Sequence, residues 1–176
     1  MAIVIINQSS AAQEDNVAGE LFFVELGGPG AIISLNFDSR FNSNERLGLG
    51  YRLGAGLGYK EQWKYYYNYI DVTRTYFSFP AGVNYVFGKP YSEKTFEVGA
   101  GITFLSRKIP LYYHGINEKP GNFIGSLIFM YRVMPVNGGY SFRVGFTPII
   151  GTGGDMYPMM AISFGHAYNK ESKNRK

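Results

Sequence analysis

The chain has 176 residues, no cysteine, 23 glycines and a formal net charge of +4, and its aromatic share (17%) equals that of Asp, Glu, Lys and Arg together (17%). This length suits one domain with enough surface to bury a core, the charged share falls below the roughly 25% of a soluble domain, and the lack of thiols excludes disulfides and thiolate metal sites. The lysines lie in or beside turns, loops and the tail, with no basic stripe to grip phosphates, so the net charge does not indicate nucleic acid.

The chain starts MAIVIINQSSAAQED, a short apolar piece followed by small residues at Ser9–Ala12. Such a start is similar to the end of a shortened secretory signal. Residues 1–15 are therefore expected to be signal-like or disordered, 16–168 to fold, and 169–176 (NKESKNRK) to form a basic periplasmic tail. No apolar run approaches the roughly 18 residues of a spanning helix.

Period-two alternation then recurs in eight segments: Glu20–Gly27, Ala31–Phe41, Leu47–Tyr59, Thr75–Phe87, Thr95–Arg107, Phe123–Val133, Tyr140–Ile149 and Tyr157–Tyr168. Their lengths suit strands that cross a bilayer at a tilt. Between them the connections alternate. The third, around EQWKYYYNYIDVTR, and the fifth, PLYYHGINEKPGN, are long, whereas NSNER, GKPYSEK and MPVNGG are short, and the first (GGPG) and seventh (GTGGDM) are tight too. In an outer-membrane barrel with both termini in the periplasm, odd connections are extracellular loops and even ones short turns.

A strand alternates its side chains between two faces, and the faces here differ in kind. In LGLGYRLGAGLGY (47–59) one face carries Leu47, Leu49, Tyr51, Leu53, Ala55, Leu57 and Tyr59, and the other is almost all glycine around Arg52. The other segments repeat the contrast, with Phe22, Val24 and Leu26 against Glu25, or Phe96, Val98, Ile102 and Phe104 against Glu97, Gly99, Gly101 and Thr103. A soluble barrel would coat its exterior with Lys, Glu and Thr. A face of Gly, Ser and a few charges suits instead the cramped interior of an eight-stranded barrel, which places the apolar face in lipid. Phe41, Tyr85, Phe87, Phe96, Tyr131, Phe142 and Tyr168 gather near the even connections or the C-terminus, as a periplasmic aromatic girdle would. The expected fold is all-β, an eight-stranded antiparallel up-and-down transmembrane β-barrel. Pro80, Pro148 and Pro158 fall inside the segments, and a closed barrel has no edge strand for them; irregular pairing is expected at the extracellular end.

In ELGGPGAIISLNFDSRF (25–41), the Gly-alternating third segment, PAGVNYVFGK (80–89), FEVGAGITF (96–104) and ISFGHAY (162–168) the chain resembles the small outer-membrane β-barrel proteins of Bacteroidota-type bacteria. The resemblance implies this fold, and a bacterial outer-membrane location, for a family whose biochemical roles are mostly unassigned.

No catalytic, cofactor-binding or metal-ligating set emerges. The interior charges Glu25, Asp38, Arg40, Arg52, Glu97, Arg132 and Arg143 are read as a structural network, since an unpaired ion in such a lumen is penalised. Strand direction places Asp38, Arg40, Glu97, Arg132 and Arg143 in the periplasmic half and Glu25 and Arg52 nearer the middle, with Asp38 and Glu97 each touching at least one of Arg40, Arg132 and Arg143. Trp63, Lys64, Tyr65, Tyr66, Tyr67 and Tyr69 form a candidate extracellular contact loop, because exposed rings flanked by cations bind sugars, headgroup phosphates or proteins. The glycines of the third segment alternate in a strand, which excludes a helix-dimer motif or a phosphate loop. The function expected is a monomeric, non-enzymatic barrel with a filled lumen, in surface contact, adhesion or envelope stabilisation. Its expected partners are outer-membrane lipid or lipopolysaccharide and an extracellular ligand or envelope protein. Two alternatives stand beside it. A lipid-modifying barrel enzyme, by acyl transfer or deacylation, needs a Ser–His pair, yet His166 is out of phase with Ser163 and His114 has no serine in its connection. The second is a soluble lipocalin-like ligand-binding barrel.

Overall fold

The computed structural model describes residues 17–42, 45–63, 71–109 and 121–169, with side chains described for 17–42, 45–59, 75–108 and 121–169. Ten strands follow in order: β1 (Ala18–Gly27), β2 (Ile33–Arg40), β3 (Gly48–Trp63), β4 (Asp71–Gly88), β5 (Lys94–Ile109), β6 (Gly121–Val133), β7 (Gly139–Phe146), β8 (Ile149–Ile150), β9 (Met156–Tyr157) and β10 (Met160–Asn169). β1 to β7 pair antiparallel in chain order, β6 also pairs with β8 and β8 with β9, and β10 pairs with both β7 and β1. The ring is a closed antiparallel barrel of eight staves, since β7 with β8 makes one stave and β9 with β10 another. Its register advances by roughly ten residues in one circuit, a stagger that tilts eight strands about 35–45° from the axis. The signal-like 1–15 and the tail beyond Asn169 lie outside the described residues.

Proline chemistry accounts for the two broken staves. β6 pairs Phe129 with Phe146 and, in the same register, Ser126 with Ile149, so the gap at Thr147–Pro148 interrupts the ladder without a slip. Likewise Met160 faces Phe146 and Tyr157 faces Ile149, which sets Pro158 opposite Pro148. Neither has an N–H to donate. Pro80 differs, for β4 runs through it: the pairs between Leu53↔Ala81 and Gly56↔Ser78 drop out on the β3 side, while Pro80↔Thr103 holds on the β5 side. The third connection is shorter than its composition indicated. β3 and β4 stay paired as far as Trp63↔Asp71, so the ladder takes up half of EQWKYYYNYIDVTR.

The apolar faces point outward. Leu53 is 52% exposed, Phe77 58% and Phe164 61%, while Glu25, Asp38 and Glu97 on the alternate faces are buried. Rings line the outside towards the terminal end, where β1 begins and β10 finishes: Phe22 packs on Phe37 at 4.6 Å and on Tyr168 at 6.1 Å, Phe41 on Tyr51 at 5.6 Å, and Phe96 on Tyr131 at 5.5 Å.

Each end of the lumen holds an inward-reaching group. GGPG is not a simple hairpin turn. After Gly27 and Gly28, both at positive φ, residues Gly28–Gly30 form a 3-10 turn whose three residues are buried. Ser78 Oγ donates to the Gly30 carbonyl at 2.6 Å and Thr103 Oγ1 to that of Pro29 at 2.9 Å, fixing the turn against β4 and β5. At the terminal end Arg46, between β2 and β3, donates to the carbonyls of Pro90 (3.3 Å) and Met134 (2.7 Å) in the next two turns. Beneath it Ala18, Leu21, Phe23, Met134 and Ala167 make a small apolar cluster.

Candidate functional site

The seven charges that strand parity assigns to the interior all lie there, each no more than 2% exposed. Register explains how they meet. Asp38 on β2 stands opposite Arg52 on β3, and Arg132 on β6 opposite Arg143 on β7. With the side chains curling across a narrow lumen, each acid is reached by arginines of other strands.

Five of the seven form one chain of ion pairs near the terminal end. Arg40 Nη2 donates to Asp38 at 2.6 Å, Arg132 bridges Asp38 (3.1 Å) and Glu97 (3.3 Å), and Arg143 Nη2 donates to Glu97 at 2.8 Å. Asn84 knits the chain together: its amide donates to Asp38 and, at 2.8 Å, to Glu97, while its carbonyl oxygen accepts from Arg40 at 2.8 Å. Each acid thereby has three partners, the condition under which buried ions are tolerated. The remaining pair stands apart from this chain. Arg52 Nη2 donates to Glu25, which also accepts from Ser163 Oγ at 3.0 Å, and Asn36 Oδ1 accepts from Arg52 Nε at 3.2 Å.

The glycines of β3 leave the space these groups use. A Cβ at Gly50 would overlap the Arg40 guanidinium, one at Gly54 the Asn36 side chain, and one at Gly58 the Tyr76 ring. At Gly145 and Gly165 a Cβ would strike the backbone of β6 and of β1, so glycine there permits a close approach of the neighbouring strand.

Four participants lie outside the seven charges assigned to the network from the sequence. Asn84 and Asn36 share the inward parity of their strands, so extending the count to amides finds them. Arg46 lies in a turn, where parity says nothing. Phe23 faces inward two places before Glu25, and its ring lies 4.3 Å from Arg143 Cζ and 4.9 Å from Arg52 Cζ.

The lining offers little for chemistry. No group of three or more His, Asp or Glu able to hold a metal occurs among the described residues. Ser163 faces the lumen and bonds Glu25, whereas His166 packs outside against Tyr140 at 5.5 Å and Tyr168 at 4.6 Å, so the two do not meet. His114 lies outside the described residues, as do Lys64, Tyr65, Tyr66, Tyr67 and Tyr69. Trp63 is placed only by its backbone, at the tip of the β3–β4 ladder.

No family model and no curated protein matches the chain. Among solved structures it is similar to the outer membrane protein Ail of Yersinia pestis in a phospholipid bilayer nanodisc, at 9% identity and a TM-score of 0.52 over 86% of this chain and 99% of that one. It is also similar to the N-terminal β-barrel domain of Pseudomonas aeruginosa OprF, at 12% identity and 0.49, over 88% of this chain and 98% of that one. At such identities the likeness to Ail shows the fold: both chains are closed eight-stranded barrels.

Proposed function

We propose that the chain is a monomeric outer-membrane β-barrel of a Gram-negative bacterium, of the small Bacteroidota-type kind, with a sealed lumen and no enzymatic activity. It acts through its extracellular rim, in surface contact, adhesion or envelope stabilisation. The observation that carries the reading is the inversion of faces: large apolar side chains outside, a hydrogen-bonded ionic network inside. In water such an exterior far exceeds the few hundred Å² of contiguous apolar surface a soluble monomer tolerates, whereas an apolar band edged by aromatic rings is what a bilayer requires. Ail, the neighbour that shares the fold, is an outer membrane protein held in a phospholipid bilayer, and this reading carries that setting over.

On this reading the β3–β4 ladder ends outside the cell, at Trp63 and Asp71. Trp63, Lys64, Tyr65, Tyr66, Tyr67 and Tyr69 then supply rings and a cation to a lipopolysaccharide, an extracellular ligand or an envelope protein. Expression in a Gram-negative host, with inner and outer membranes separated by density, tests the placement. The protein is expected in the outer fraction, extracted only by detergent, and cut within 64–70 by protease added to whole cells. Recovery as a detergent-free, monodisperse protein would refute the reading and restore the soluble ligand-binding alternative.

A further inference from the structure

Among the described residues the lumen charges do not balance. Arg40, Arg52, Arg132 and Arg143 are buried there against Glu25, Asp38 and Glu97, and Arg46 adds a fifth buried cation at the terminal end. The lumen surplus has an address. Asp38 is shared by Arg40 and Arg132, and Glu97 by Arg132 and Arg143, so neither acid is free to neutralise a further cation. Arg143 also rests on the Phe23 ring, with the Glu25 charge nearby, and Arg52, paired to Glu25, lies over the same ring, so their guanidinium carbons are at most about 9 Å apart, close enough for one small anion to take a hydrogen bond from each. Arg52 Nη1 and Arg143 Nε and Nη1 are buried with no hydrogen-bond partner.

Two partial remedies fall short. The face of Phe23 attracts a cation only weakly, by less than an incompletely compensated buried ion costs. A water molecule accepts from an N–H group but brings no charge. We propose that the lumen binds one small monovalent anion of the halide class between Arg52 and Arg143, beside Phe23. A halide accepts N–H donors from any direction, and its single charge matches the single surplus cation, whereas a phosphate would overshoot it. The inference concerns the lumen alone and stands whether or not the barrel resides in the outer membrane.

The test uses the full chain in detergent. Crystals soaked in sodium bromide are expected to show an anomalous peak within hydrogen-bond distance of Arg52 Nη1 and of Arg143. At fixed ionic strength, replacing a bulky organic anion (gluconate) by bromide is expected to raise the unfolding midpoint by about 5 °C, as mass action at concentrations well above Kd requires. Arg143→Met, which leaves three arginines against three carboxylates, is expected to abolish that difference. If this variant does not fold, the two measurements on the unaltered chain decide alone. Water density at the site, bromide found only on the surface, or equal midpoints in the two salts would overturn the proposal.

Discussion

Glu97 is the acid on which two arginines converge, and replacing it by glutamine isolates its charge from its shape. The substitution keeps volume and the capacity to bond Asn84, but it removes the carboxylate that Arg143 contacts at 2.8 Å and Arg132 at 3.3 Å. Arg132 retains Asp38; Arg143 retains no carboxylate. Removing one partner of a buried pair costs about 3–5 kcal/mol, because the other ion is left without compensation. For a chain of this size, at about 2–4 °C per kcal/mol, the unfolding midpoint in detergent is expected to fall by roughly 10 °C. Glu93→Gln, in the exposed β4–β5 turn, is expected to stay within about 0.5 kcal/mol of the parent. Circular dichroism against temperature, with urea titration as a second axis, measures both. A double-mutant cycle sharpens the inference: Arg143→Met made on top of Glu97→Gln removes the stranded cation, and the pair is expected to lose at least 1 kcal/mol less than the sum of the singles. Strict additivity, or a Glu97→Gln midpoint no lower than that of Glu93→Gln, would show that the network contributes nothing through charge.

Other predictions address the wall, the spacing and the seals. Val83→Arg on the outward face is expected to lower folding stability into lipid by about 2–4 kcal/mol, read by urea titration in vesicles, whereas Val83→Leu is expected to be nearly neutral. Gly50→Val drives a side chain into the Arg40 guanidinium and is expected to abolish refolding in detergent, seen as loss of the compact, fast-migrating band on unheated gels; Gly153→Ala, in the β8–β9 turn, is the comparison. In planar bilayers the parent is expected to show no steady conductance of porin size, since side chains fill the lumen and Gly28–Gly30 covers one end. The pair Ser78→Ala with Thr103→Ala removes both hydroxyl donors to that turn, so hydrogen exchange at Ala31 and Ile32 is expected to rise at least tenfold; unchanged exchange would mean the turn is held by packing alone.

Much of this architecture was legible because a barrel wall obeys a rule of period two. Once Leu47–Tyr59 is split by parity, the face of Arg52 is fixed, and the same operation sends Glu25, Asp38, Arg40, Glu97, Arg132 and Arg143 inward. Parity stops where strands stop. It gave no hint that Gly28–Gly30 folds into the mouth, since the tight spacing of GGPG fits a plain hairpin equally well and the inward course depends on Ser78 and Thr103, contributed by distant strands. Arg46 was hidden for the same reason. Phe23 was hidden for another: one ring on a polar face looks like an exception to the pattern until two guanidiniums are found against it. The prolines were legible as trouble, but only the register shows Pro148 and Pro158 directly opposite one another, so that two defects fall at a single level of the wall.

The unequal heights of the staves give the barrel a sloping crown. On one side β1 stops at Gly27 and the chain dives inward; on the other β3 and β4 continue as a paired ribbon to Trp63 and Asp71. In the bilayer of the proposed setting, a molecule lying flat on the membrane would meet a low doorstep over the first hairpin and a standing fence at β3 and β4. On the proposed reading, recognition at the rim would acquire a compass bearing from this slope, because the short hairpin leaves the fence approachable along its flank by a ligand anchored in the membrane, while a ligand from bulk solvent would reach its tip first.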